Sequence, residues 1–490
     1  MGIFSRKKRD DQKPSRKKRS WGGAKAGRLF ADFLTSSKSA DAELRYDLKV
    51  LRDRCRQLSR DDPYSKRFLK ILSTNVIGSN GIGLQLKARN DDGRLDSAGN
   101  AIIERAWKRW GKKGVPTVDG KMSWLDCQRM FIESVARDGE VLIRHLRNAD
   151  NPSGYAIQFL EADHLDEQFT TKARSDGSRI SMGVELNGFD KPLAYHLWNN
   201  HPHNDLASSR KRNRVVAKEI LHAYLPERSH QSRGVPWMAT AITRLKQLQG
   251  YEESELIAAR VASAKMGFFT SPDGDGYSGE EYDDTYQPLM SAEPGTFEQL
   301  PQGMSFESFD PSHPTTAFAD FERAILRGIA SGLNVSYHSL SGDLTSVNYS
   351  SIRQGALEER DYYRSLQQFS IQHFVEPIFQ NWLEMAMTTG DITIPVSRFD
   401  KFADAVTWRP RGFAWIDPLK EIQANIVGLQ NGLVTMQDVA SQYGRDVEDV
   451  MEQIGKEKQL AEQLGVQIAF EPFGASTNSV DPKIIGSEEL

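Results

Sequence analysis

Ten histidines, two cysteines and 66 acidic side chains are the raw material for catalysis or metal binding in this 490-residue chain, and their spacing points away from both. There is no G-x-x-x-x-G-K-[ST] phosphate loop, no H-E-x-x-H, no G-x-S-x-G and no C-x-x-C. Without a phosphate loop the chain is not itself an ATP-driven motor. His201-Pro-His203, with His196 nearby, is the single histidine cluster. Two imidazoles one residue apart can share a metal, but spacing marks no third ligand, and the pair reads as part of a surface loop. Gly78-Ser-Asn-Gly-Ile-Gly83 has its glycines in the wrong order for a dinucleotide loop and reads as a turn. In Leu433–Glu452, Ala440 precedes Gly444 by four residues, as in a helix-turn-helix. Its second helix would bring Asp446, Glu448, Asp449 and Glu452 against phosphates, so a helical hairpin is expected rather than a DNA reader. The residues point to a non-enzyme with no metal and no cofactor.

The most informative segment is Ser339–Ser350, a polar run without a Lys or Arg that leads directly into a long helix. It offers one charge, Asp343, among hydroxyls and small side chains. Such a surface is poorly suited to holding nucleic acid, which needs cations against its phosphates. Charge elsewhere is uneven. Residues 1–28 carry a net +9, leaving −12 for the rest of the chain. The basic run includes Arg6, Lys7, Lys8, Arg9, Arg16, Lys17, Lys18 and Arg19, and is expected to be a disordered arm (1–30) able to meet an acidic surface or DNA during assembly. Residues 271–320 hold 11 acids and no Lys or Arg. They lack the D-x-D-x-D-G spacing of a calcium loop and read as a solvated, β-rich region.

The elements that must position these segments follow from periodicity. Asp41–Ser59, Pro63–Asn75, Ala101–Trp110 and Trp124–Asp138 repeat apolar residues as helices do. From Glu140 the pattern becomes short and alternating: Val141–Leu146, Tyr155–Leu160, Met182–Leu186, Leu193–Trp198 and Val215–His222 are expected strands of a mostly antiparallel sheet. A polar loop, Asn199–Asn213, runs into Arg210-Lys-Arg-Asn-Arg214. A helix is expected from Met238 to Lys265, a hairpin over Pro294–Pro311 and a helix over Phe318–Gly332. The long helix Ser350–Met387 carries the stripe Leu366, Phe369, Phe374, Ile378, Trp382 and Met385, and Pro377 should kink or divide it. Asp417–Leu429 is helical, capping boxes begin at Thr435 and Asp446, Gly465 closes the last helix, and residues 471–490 read as unstructured. The fold class is α+β, in several domain-sized units.

No apolar run reaches the roughly 18–20 residues of a membrane helix, and Met1-Gly-Ile-Phe leads into no secretory signal. Cys55 and Cys127 are too few for a disulfide framework, as suits a reducing compartment.

A set of short landmarks runs in order through roughly residues 30–470. The landmarks, in order, are Asn75-Val-Ile-Gly78-Ser-Asn-Gly-Ile-Gly83, Asp138-Gly-Glu140, Gln158-Phe-Leu-Glu161-Ala-Asp163, Ile220-Leu-His222 and Gln231-Ser-Arg-Gly-Val-Pro236. Then come Val335, Tyr337, Leu340, Asp343, Asn348, Tyr349, Ser350, Ser351 and Arg353, and finally Trp415-Ile-Asp-Pro418-Leu-Lys-Glu421. In this order the landmarks resemble the lambda-type portal proteins of bacteriophages, and the resemblance implies a dodecameric ring at one capsid vertex, with double-stranded DNA passing through it. It further implies the terminase large subunit, major capsid protein, scaffold and head–tail connector proteins as partners, with no membrane. The ring would sit in the virion and assemble in the host cytoplasm. By the same resemblance residues 31–235 form a wing, 236–266 a stem helix, 267–335 a hairpin and helix region, 336–350 a channel loop, 351–390 a long kinked helix and 391–470 a helical crown. The clip is expected at 195–235, or alternatively at 267–312. Ser339, Ser341, Asp343, Thr345, Ser346, Asn348 and Tyr349 would face DNA. The competing expectation is a DNA-binding or DNA-processing packaging accessory protein.

Overall fold

Ser39 opens α1 (Ala40–Asp61) by accepting the Ala42 N–H, and Asp62 caps α2 (Pro63–Leu72) by accepting the Ser65 N–H at 2.6 Å. Pro63 occupies the first turn, where its missing donor costs nothing. A wide π turn, Ser73–Ile77, stops at Gly78, whose φ of 80° favours glycine, and the expected turn delivers the chain into β1 (Gly83–Leu86). Helices α3 (Ser97–Trp110) and α4 (Trp124–Asp138) follow, the second with a Ser123/Asp126 capping box. The computed structural model describes residues 28, 31–33, 37–204, 211–263, 267–270, 305–308, 318–345, 349–413, 418–443 and 445–466.

The alternating region folds into two antiparallel sheets. One has the order β3-β2-β8, from β2 (Glu140–Arg147), β3 (Tyr155–Leu160) and β8 (Ile220–Tyr224). The other has the order β4-β5-β6-β7, from β4 (Arg179–Ser181), β5 (Val184–Leu186), β6 (Pro192–Trp198) and β7 (Arg212–Val216). Two expectations are corrected here. Met182 is not in a strand: with φ values of 45° and 85°, Met182 and Gly183 form the two-residue turn between β4 and β5. Val215–His222 is not one strand either. A 3₁₀ turn at Ala217–Glu219 hands the chain from β7, beside β6, to β8, beside β2. Alternation along a sequence looks the same whether or not the strand changes sheets.

After β8, turns over Met238–Ala241 delay α5 (Ile242–Ser263) by four residues against expectation. The strand at the end of the expected Pro294–Pro311 hairpin, β10 (Ser305–Ser308), pairs instead with β9 (Gly267–Thr270), a partner that precedes the whole segment. The rest of that segment lies outside the described residues. Next come α6 (Phe318–Gly332), the short α7 (Tyr337–Ser341) and α8 (Tyr349–Ser370). The expected break at Pro377 takes the form of a π turn, Ile371–Val375, ahead of α9 (Glu376–Thr389). Proline cannot donate to the turn before it, and the wider turn accommodates the loss. Helix α10 (Phe399–Ala403) leads to β11 (Val406–Arg409), which returns to pair with β1, Gly83 opposite Arg409. Helices α11 (Pro418–Gln430), α12 (Met436–Gln442) and α13 (Val447–Leu464) finish the described chain, α12 with the expected capping box at Thr435 and α13 with Gly465 as its left-handed stop.

The main core joins α1–α4, β2, β3, α6 and α8–α10, and the whole expected stripe Leu366, Phe369, Phe374, Ile378, Trp382 and Met385 is buried in it. Aromatic rings dominate: Trp107 packs against Trp110 at 4.8 Å and Trp382 at 4.9 Å, and Phe131 stacks on Phe374 at 4.5 Å. A second core between the sheets holds Leu142, Leu165, Val184, Leu186, Tyr195 and Leu197.

On β2, His145 is buried with Nδ1 2.7 Å from the Tyr155 hydroxyl. Burial, and then the charge of Arg147, push its pKa down from 6.5 to about 4. The folded imidazole therefore stays neutral where the unfolded one gains a proton. Stability should fall as pH drops from 6.5 toward about 4, by roughly 3 kcal/mol in total. Urea unfolding across that range checks this: His145→Gln should remove that part of the pH dependence, and an unchanged slope would refute the assignment.

Candidate functional site

The segment singled out by composition begins in a helix, not a loop. Ser336 caps α7 by accepting the Ser339 N–H, and Gly342 stops it in the left-handed region at φ 78°. Ser339 and Ser341 are thus helical and half-buried, which corrects the reading of an open loop from Ser339. The cause is local: a serine cap three residues ahead of Ser339 and a glycine at the stop define one helical turn.

Neighbouring helices then clamp that turn. Glu359 of α8 accepts hydrogen bonds from the Ser336 N–H at 3.0 Å, the Ser339 hydroxyl at 3.0 Å and the Tyr363 hydroxyl at 2.7 Å. Arg67 of α2 donates from Nε to the Ser339 carbonyl at 2.6 Å. Ser341 donates to the Tyr337 carbonyl at 2.8 Å. Asp343 accepts from the Thr345 hydroxyl at 2.6 Å, the Thr345 N–H at 2.9 Å and the Tyr337 hydroxyl at 2.8 Å. Those donors, the Thr345 hydroxyl foremost, hold its carboxyl well below the usual carboxylate range. Arg323 of α6 lies 3.7 Å away. Thr345 is exposed. Ser346 and Asn348 lie outside the described residues, as does the side chain of Tyr349, whose backbone starts α8. The basic residues Arg6, Lys7, Lys8, Arg9, Arg16, Lys17, Lys18 and Arg19 also lie outside them. Sequence reasoning missed Glu359, Arg67 and Arg323, which come from three different helices and share no local signal with the loop.

A second constellation gathers four of the sequence landmarks in one place. Glu140, at the start of β2, is fully buried between Arg233 and Arg52. Arg233 donates from Nε to both carboxylate oxygens at 2.9 Å and from Nη2 at 2.5 Å, and Arg52 donates from Nη2 at 3.0 Å. His222 Nε2 lies 2.9 Å from Oε2, and the Gly234 N–H donates to it at 3.1 Å. Burial by itself would raise the pKa of Glu140, but the Arg233 charge and the hydrogen bonds of His222 and Arg233 outweigh it and hold the carboxyl well below its usual range. Around this centre Arg56 joins Asp138 at 2.8 Å to Asp163 at 2.5 Å, and Asp41 accepts from the Ser232 and Ser181 hydroxyls at 2.6 and 2.5 Å. Asp138-Gly-Glu140, Asp163, His222 and Gln231–Pro236 thus meet in one largely buried charge hub tying α1 to both sheets.

His201 does find acidic neighbours that spacing could not name. One donor atom from each of Glu161, Asp163 and His201 falls within 4.8 Å of the others. Arg56 already engages this group, 2.5 Å from Asp163 and 3.9 Å from Glu161, so the cluster has a resident cation of its own. In the helical hairpin expected at 433–452, Asp446 is buried rather than displayed. It caps α13 and is bonded to Lys87 beyond β1.

Residues 26–367 match the phage portal protein, lambda family. The chain belongs to that family. A probable portal protein of Halomonas phage phiHAP-1 is 35% identical over 463 residues, covering 92% of this chain and 88% of the relative. Portal protein B of Escherichia phage lambda is 22% identical, covering 91% and 90% respectively. Among solved structures, the neck of an empty gene transfer agent particle aligns over 81% of this chain and 93% of its own, with a TM-score of 0.41 and 13% identity. As a portal protein of the tailed-phage type, the chain has relatives that are structural components, and the α+β class expected from its sequence holds.

Proposed function

We propose that this chain is one subunit of a dodecameric ring at a unique capsid vertex, forming the channel through which double-stranded DNA is packaged and ejected. The family match over most of the chain carries this reading. The role is structural, without catalysis of its own. The ring would receive the terminase large subunit and the head–tail connector proteins, and be built with the major capsid protein and scaffold, in the host cytoplasm before it becomes part of the virion. The basic arm at 1–30 would act in that assembly. The wing is residues 31–235, the stem 236–266, the channel loop 336–350 and the crown 391–470, with 351–390 the long helix between the last two. Uncovered apolar side chains support a ring: Leu256 and Ile257 on α5, and Leu419, Ile426, Leu433 and Leu464 on and between the C-terminal helices, are each at least 46% exposed in a single subunit.

Ser339, Ser341, Asp343, Thr345, Ser346, Asn348 and Tyr349 belong in this reading to the segment that meets DNA, Ser339 and Ser341 by shaping its base and the rest as its loop. Purified protein should show rings with a central hole in negative stain. Thr345→Lys with Ser346→Lys should leave the rings intact but slow DNA packaging several-fold. Each added cation near phosphate releases counterions and so tightens the loop's hold on DNA, and the ring multiplies the effect. Monomers under all salt conditions would refute the ring and favour an accessory DNA-binding protein. Wild-type packaging by the lysine variant would refute the loop.

A further inference from the structure

The end of α3 and the turn that follows it carry charge of one sign. Residues 105–118 hold Arg105, Lys108, Arg109, Lys112 and Lys113 and no acid. Lys108 and Arg109 follow Arg105 by three and four residues, which keeps the three within about 100° of one another around the helix axis. Lys112 and Lys113 extend the group into the closing turn, where the Lys112 N–H donates to the Arg109 carbonyl at 3.3 Å. All five are exposed, whereas Ile103, Trp107 and Trp110 on the opposite side of α3 are buried in the core. Burial of one side fixes which way the other faces.

Asp391 holds Arg109, and Arg105 donates from Nε to the Ala101 carbonyl of its own helix at 3.1 Å. Among the described residues no carboxylate pairs with Arg105, Lys108, Lys112 or Lys113. The two nearest acids along the chain are engaged elsewhere: Asp119 by Thr117 and Lys121, and Asp126 by Ser123, beside which Lys113 is a minor influence. Helix α1 is the contrast. It carries six cations against five acids, and its Lys49, Arg52, Arg56 and Arg60 are all held by carboxylates. The negative end of the α3 dipole favours Lys108 and Arg109 in the last turn, but Arg105 stands a turn earlier, outside its reach. The kind of polyanion follows from what accompanies the charge. Lysine supplies three of the five cations, and lysine is depleted in protein–protein interfaces. The other exposed positions of α3 are Ser97, Ala98 and Ala101, none of them an apolar or aromatic anchor for a protein partner. Point charges on a helix face without such anchors suit a phosphate backbone, held without regard to sequence.

We propose that Arg105, Lys108, Lys112 and Lys113, flanked by Arg109, form a contact surface for the phosphate backbone of double-stranded DNA, separate from the candidate channel segment. Helix α3 packs on β1 and on Trp382 of α9, whereas α7 packs on α2 and α6. The inference rests on the portal reading, which makes duplex DNA the polyanion this chain meets. It adds to a segment that offers DNA no cation a second surface that holds it.

The test is equilibrium binding of a short, labelled, random-sequence duplex to the full-length protein over a series of salt concentrations, with negative stain of the same samples. Lys108→Gln with Lys112→Gln and Lys113→Gln removes three exposed charges, and the melting temperature should stay at the wild-type value. The slope of log K against log salt should become shallower by about 2 to 3, at roughly 0.9 per lost phosphate contact. Lys112→Gln alone should remove about 1, and arginine at all three positions should keep the wild-type slope. Poly-glutamate of matched charge should displace the duplex far less well than unlabelled duplex does; equal displacement overturns the assignment to phosphate in favour of an acidic protein. An unchanged slope in rings that bind duplex overturns the surface and leaves the portal reading standing. Rings lost in the glutamine variant with the slope unchanged overturn it too, by making the lysines a contact between copies. A shallower slope in protein that never forms rings supports the surface and counts against the portal reading. Wild-type protein that binds no duplex overturns the surface.

Discussion

Replacing Arg233 by methionine should cost about 3–5 kcal/mol of stability and lower the melting temperature by several degrees. Methionine fills much of the same volume, so packing is not what is lost. The loss is electrical. Glu140 sits in the charge hub with no exposed surface and would keep only Arg52, His222 and the Gly234 N–H against its charge. The Met182 carbonyl would also lose the Nη1 donor that now reaches it at 2.8 Å, at a turn already held at positive φ. Combining Arg233→Met with Glu140→Gln should recover part of the loss, because the second change removes the stranded charge. Arg233→Lys should fall between, restoring the charge without the fork that engages both oxygens. Thermal melts of the four proteins decide it. Arg233→Met melting with the wild type would mean that the hub does not hold the fold together.

Gly234→Ala should be at least as damaging, for a reason of space alone. A β-carbon there would stand 2.1 Å from the Gly139 carbonyl oxygen and 2.6 Å from its carbon. Both are backbone atoms, which cannot swing aside as a side-chain tip can. Gly139 is equally confined, with the Val235 carbon 2.4 Å from its would-be β-carbon and a φ of 87°. The expected loss exceeds about 4 kcal/mol, the range reserved for named structural failures, and soluble yield should drop with it. Gly390→Ala separates the causes. That glycine has φ 80° but nothing within 4 Å, so its alanine variant should lose only the left-handed penalty of about 1–2 kcal/mol. Gly234→Ala melting above Gly390→Ala would show that the two loops do not meet as closely as described.

The two experiments explain why Asp138-Gly-Glu140 and Gln231-Ser-Arg-Gly-Val-Pro236 stand out when the chain is read as text. Their glycines let two backbones touch, and the Glu and Arg beside them close into one ion pair. Residue by residue the motifs were visible in the sequence; that they belong to each other was not.

What the sequence by itself determined is what short-range physics controls. Caps at Thr435 and Asp446, the stop at Gly465, the division of the long helix near Pro377 and its apolar stripe all follow from interactions within a turn or two of helix. The absence of enzyme motifs and the family landmarks are likewise properties of the string. Only the tertiary structure decided which segments meet. It moved Val215–His222 onto two sheets, paired β10 with a strand far upstream, turned Ser339 and Ser341 into a helix clamped by Glu359 and Arg67, and drew three arginines from two distant segments onto Phe413. The Glu140 contacts to Arg52 and Arg233 span 88 and 93 residues. At such separations no local pattern encodes the partner. The choice is made by burial, which leaves a charged group stable only where the folded chain brings an opposite charge to meet it.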